Sequence, residues 1–120
     1  MPGTVERLAL APDIGGNNSL IRPAPGWVDA RALTAGGSAE TFAVPAGADA
    51  VIFSANGVFY ANPVTTATVP GDTADGTASE LSPTAWQLRP INGTVPSNIS
   101  VISPTGGATI VTAAWYKLAK

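Results

Sequence analysis

Glycine or proline interrupts this chain so often that only residues 108–120 run longer than nine residues without one. A stable helix needs several unbroken turns and an apolar stripe at i, i+3, i+4 and i+7, and no segment offers both. The breaks instead mark off short runs of β-branched and aromatic residues, the pattern of strands between turns. With 120 residues there is enough chain for one core but not for two. The expected fold is all-β: a single small β-sandwich, jelly-roll-like, or a barrel, with an extended N-terminal arm.

Strands are expected at residues 40–44, 50–55, 58–60, 64–69, 85–88, 98–102 and 108–116, with a turn at Pro45-Ala46-Gly47-Ala48-Asp49. Asn56-Gly57 predicts a tight type I′ hairpin joining 51–54 to 58–60, because both residues tolerate positive φ. Ser103-Pro104-Thr105-Gly106-Gly107 predicts a second hairpin, joining 98–102 to 108–116. In that last strand, period-two alternation puts Ile110, Thr112, Ala114 and Tyr116 on one face and Val111, Ala113 and Trp115 on the other. A structureless loop is expected from Pro70, followed by Trp86 and Leu88 on one strand face.

Residues 1–38 read as a Pro/Gly-rich arm ahead of a sandwich domain at 39–120. Only Ser19-Leu20-Ile21-Arg22 and residues 27–33 can pair within the arm. Strand addition to a neighbouring subunit and wrapping around the chain's own sandwich are both open to it. On the first reading Leu20, Ile21, Trp27 and Val28 are the candidate partner-contact residues.

Six basic residues against eight acidic ones leave a net charge of −2, and the cations are scattered. No basic stripe is available for a phosphate backbone, so nucleic acid is not an expected partner. Only 12% of residues are charged, about half the usual share, which suits a surface partly covered by neighbours. No apolar run reaches the ~20 residues of a membrane span, and the start of the chain lacks the pattern of a signal peptide. Synthesis in the cytoplasm without export, and no membrane partner, are the expectations.

Histidine and cysteine are absent, which removes the commonest general base, the commonest transition-metal ligand and the thiol nucleophile. Asp72, Asp75 and Glu80 lie close in sequence, but nothing marks a cleft holding two carboxylates at controlled separation. Nor does Asp72-Thr73-Ala74-Asp75-Gly76 match a calcium-loop spacing, and Asp with Gly is ordinary turn chemistry. No catalytic residue, cofactor, metal or small-molecule substrate is expected. The aromatics Trp27, Phe42, Phe53, Phe59, Tyr60, Trp86, Trp115 and Tyr116 can be read as core or as a sugar-stacking platform, with core favoured in strands.

An ordered series runs from Ala48 to Lys117: Ala50-Val51-Ile52-Phe53-Ser54-Ala55-Asn56-Gly57-Val58-Phe59-Tyr60, Pro70-Gly71-Asp72-Thr73-Ala74-Asp75-Gly76, and Ser79-Glu80-Leu81-Ser82-Pro83. It closes with Ile99-Ser100-Val101-Ile102-Ser103-Pro104 and Thr112-Ala113-Ala114-Trp115-Tyr116. This series resembles small virion structural proteins encoded by tailed bacteriophages near their head genes. The resemblance implies a capsid decoration or cement protein at the virion surface, made in the bacterial cytoplasm, whose partners are the major capsid protein and copies of itself as a trimer or dimer. The alternative it leaves open is a head–tail or tail-associated adhesion protein with a carbohydrate-binding β-sandwich.

Overall fold

The longest run without a breaker forms the longest strand, β9 (Thr109–Leu118), as its alternation of small, β-branched and aromatic residues requires. The computed structural model describes residues 3–8, 23–33, 38–88, 95–104 and 109–118. Ahead of β9, these residues form β1 (Glu6–Leu8), β2 (Val28–Leu33), β3 (Glu40–Ala43), β4 (Ala50–Ala55), β5 (Tyr60–Asn62), β6 (Glu80–Leu81), β7 (Ala85–Gln87) and β8 (Asn98–Ile102), with no helix among them.

The strands divide into two sheets. In the first, β9 lies between β4 and β2, with β7 beyond β4, all antiparallel, while β1 pairs in parallel with the last residues of β9. The second sheet runs β3-β8-β5-β6 and is antiparallel throughout. Four antiparallel pairs, β2 with β9, β3 with β8, β4 with β7 and β5 with β6, therefore alternate between the sheets. The two sheets together form an all-β, sandwich-like globule.

Between the sheets lie Val51, Phe53, Val111, Ala113 and Trp115 from the first and Phe42, Ala61, Ile99 and Val101 from the second, each at most 4% exposed. Phe42 meets Trp115 edge-on at 6.4 Å, and Phe53 packs against both Phe59 and Trp86. Burying each large side chain is worth about 1.5–3 kcal/mol, which makes this contact the main source of stability. The face assignment expected for β9 is the one observed, with Val111, Ala113 and Trp115 inward.

Three local expectations are corrected. Asn56-Gly57 does not turn a hairpin: β4 belongs to the first sheet and β5 to the second, so the dipeptide carries the chain between layers. Asn56 exchanges hydrogen bonds with the backbone of Ile110, its N–H donating to the carbonyl at 3.3 Å and its Oδ1 accepting from the N–H at 2.8 Å. Gly57 is required by proximity, since a Cβ there would lie 2.8 Å from Thr109 Oγ1. Likewise β8 and β9 fall in different sheets and are not a hairpin; residues 105–107 of the expected turn lie outside the described residues. Finally, residues 64–69 form no strand, because side chains rather than a ladder satisfy their backbone, as shown below.

β1 and β2 lie before residue 39, in the segment expected as an arm, and both pair with β9 of their own chain. Their lead-ins touch: Thr4 N–H donates to Gly26 O at 2.7 Å, and glycine at positions 3 and 26 permits a backbone approach that a Cβ would block. Val5 is thereby drawn into the main core at 7% exposure.

Candidate functional site

Each sheet has an outer face, and the sequence treats the two differently. On the second sheet, residues 63–79 lie across that face and are stitched down by three buried side chains. Asn62 Oδ1 accepts the N–H groups of Val64 and Thr65 at 2.9 and 3.0 Å, and its Nδ2 donates to Thr77 O and Ser79 Oγ. Ser100 Oγ accepts the Ala67 N–H at 2.8 Å, and Ser79 Oγ accepts the Thr68 N–H at 3.2 Å. Irregular backbone can bury itself only when its polar groups find such partners. Ala67 accordingly reaches 1% exposure.

The outer face of the first sheet is uncharged and mostly apolar over three adjoining strands. Register places Val28, Ala30 and Ala32 of β2 beside Ala114, Thr112 and Ile110 of β9, which in turn adjoin Ile52 and Ser54 of β4. Val28 is 51% exposed and Ile110 44%, with Ala30, Ala32 and Ser54 also exposed. At one end the face is already closed: Tyr116 is fully buried in a small cluster with Ala50 and Ala114, and its hydroxyl donates to Pro23 O at 2.7 Å. The remainder is an exposed patch with no charge to solvate it.

This patch exists because β2 is patterned in reverse. Its charged residues Asp29 and Arg31 share the inward side with Trp27 and Leu33, at an open edge of the sandwich. There the Asp29 carboxylate accepts both indole N–H groups, from Trp27 at 3.3 Å and from Trp115 at 3.0 Å, while Arg31 Nε donates to Thr41 O of β3 at 2.9 Å. The two charges close the seam between the sheets, leaving the apolar residues of β2 facing out. A small cavity of about 350 Å³ lies beside them, lined by Trp27, Asp29, Arg31 and Phe42.

Of the partner-contact residues expected from the sequence, Val28 lies on the uncharged patch. Trp27 does not; it is half-buried against the main core, with its indole committed to Asp29. Leu20 and Ile21 lie outside the described residues. The sequence reading missed Ala30, Ala32 and Ile110, although the alternation Val-Asp-Ala-Arg-Ala beside Ile-Val-Thr-Ala-Ala held the signal: two charges on the side that also carries Trp27 and Leu33 force the small apolar residues outward.

Comparison with known protein families, with curated proteins and with solved structures gives no match. The geometry therefore carries the functional argument. Of the eight aromatic rings, Phe42, Phe53, Phe59, Trp115 and Tyr116 are buried and Trp27, Tyr60 and Trp86 half-buried, so none stands as an exposed platform. Asp72 and Asp75 lie on the exposed stretch of residues 71–78. Asp75 accepts from the Thr77 hydroxyl at 2.6 Å and the Thr77 N–H at 3.1 Å, and these bonds to its charged form hold its carboxyl below the ordinary value. It serves a turn. Among the described residues no three acidic side chains cluster as metal ligands would.

Proposed function

We propose that this protein is a non-catalytic assembly subunit of a tailed-bacteriophage particle, of the capsid decoration type, which docks through the uncharged outer face of β2, β9 and β4. The observation that carries the reading is that face: three strands wide, mostly apolar, and without a charged side chain across Val28, Ala30 and Ala32 and their neighbours Ile110, Thr112 and Ala114. A monomer bearing such a patch gains by covering it, at roughly 25 cal/mol per Å² of apolar surface removed from water. Many copies on one shell multiply a modest gain per contact. The major capsid protein supplies the opposing surface, and copies of this chain, as a trimer or dimer, complete the contact between shell subunits.

The test is rebinding to capsids that lack the protein, read by co-sedimentation, with oligomeric state measured by light scattering. Attachment through an apolar face survives about 0.5 M salt, where the Debye length is only a few Å. Ala30→Glu places a charge at the centre of the face and abolishes attachment while the domain stays folded. Full occupancy by that variant, or loss of occupancy in salt by the unmodified protein, excludes this reading.

A further inference from the structure

We propose that the cleft between β6 and β7 binds one basic side chain, an arginine, presented by a partner protein. Both seams of the sandwich carry an indole–carboxylate contact, and the two differ in what the carboxylate has left over. At the β2 seam both Asp29 oxygens are used, one by Trp27 and one by Trp115. At the opposite seam Glu80 accepts the Trp86 N–H through Oε1 alone, at 3.0 Å, so Oε2 has no partner among the described residues.

That carboxylate borders a cavity of about 300 Å³ whose walls include Trp86, Leu88, Ala78, Pro63 and Pro96. The volume is at the lower end for ligand clefts and admits a single side chain rather than a cofactor. Among the described residues Glu80 is the only charged one lining it, so the complementary group is a cation. The apolar walls call for a hydrocarbon stem behind that cation, which describes a long basic side chain. A sugar would bring several hydroxyls to a cleft that offers few polar partners. Arginine is favoured over lysine because its planar guanidinium is more weakly hydrated and can reach one carboxylate oxygen while lying against an indole. Trp86 is held in place by its edge contact with Phe53 at 5.1 Å, so the wall is set before anything binds. The inference is independent of the uncharged face of the first sheet.

The test titrates isotopically labelled protein with N-acetyl-arginine methylamide, N-acetyl-citrulline methylamide as the neutral isostere, and glucose, following the three indole N–H signals by nuclear magnetic resonance. The arginine compound is expected to move the Trp86 signal saturably and leave the Trp115 signal in place, with the citrulline compound and glucose inert. Glu80→Gln should weaken binding about tenfold, as loss of a charge-assisted contact does. Ala78→Phe, at an exposed position, fills the cleft while keeping Glu80 and should abolish the response; an unmoved Trp115 signal shows that the variant is folded. Equal shifts with citrulline, a full arginine response in Ala78→Phe, a response to glucose alone, or no saturable shift overturns the proposal.

Discussion

The two outer faces of this sandwich, one of five strands and one of four, differ in how they meet the surroundings. Residues 63–79 cover the second sheet, and that cover consists of backbone, so its N–H groups must be satisfied by Asn62, Ser79 and Ser100. The first sheet leaves Val28, Ala30, Ala32 and Ile110 open, and the Thr112 hydroxyl among them donates to Ser54 O of the sheet itself rather than to a covering segment. A face built to be covered by its own chain is marked by buried hydrogen-bonding side chains. A face suited to another molecule is marked by their absence and by the displacement of charge to the other side of the strand.

The largest effect should come from removing the stitch at the covered face. Asn62→Ala deletes acceptors for two N–H groups and two donor contacts at a site 6% exposed, and should cost about 2–3 kcal/mol in denaturant unfolding. A loss below about 0.5 kcal/mol would mean that residues 63–79 do not depend on it and would erase the contrast between the faces.

Next in size is the arch that joins the layers. Gly57→Ala should destabilise by about 1–2 kcal/mol through contact with Thr109, and Thr109→Ala in the same chain should restore most of the loss by removing Oγ1 and the methyl group. Had the position been a hairpin requiring positive φ, the second substitution would rescue nothing. The double-mutant cycle therefore separates the two explanations.

Smaller still is the effect of charge on the open face. Ala30→Glu and Ile110→Lys should each change stability by less than about 0.5 kcal/mol, since both positions are exposed, while removing attachment to the particle. A large loss of stability would show that the face is covered by its own chain after all. The smallest expected effect is at Asp75. Its folded pKa lies below the ordinary 3.8, so the contribution of its turn is present above that value and is lost as pH falls through the folded pKa. The Thr77 amide signal should shift in that acid range while signals from the core hold still.

Strand positions were largely legible. β3, β4, β7, β8 and β9 fall where β-branched and aromatic runs lie between breakers, and the inward set of β9 follows from period two. Residues 64–69 misled, because Val64, Thr66 and Thr68 alternate as a strand does while their backbone bonds go to side chains. The uncharged face was legible only in part: Val28 was noticed, but its neighbours on β9 come from the far end of the chain.

What the sequence determined by itself is the local part of the problem: among the described residues strands and no helix, and which side chains of a given strand share a side. These depend on breaker spacing and on a period of two, both properties of a few adjacent residues. The tertiary structure alone decided which sheet each strand joins, and with it the role of Asn56-Gly57. Turn chemistry says that a chain can reverse there, yet the reversal into a hairpin lost to the pairing of β4 with β9, whose partners Ala55 and Val111 are 56 positions apart. The same holds for the stitches of the covered face, where Ala67 and Ser100 meet across 33 positions. Contacts at that separation are selected by the burial of the whole core, which no local window contains.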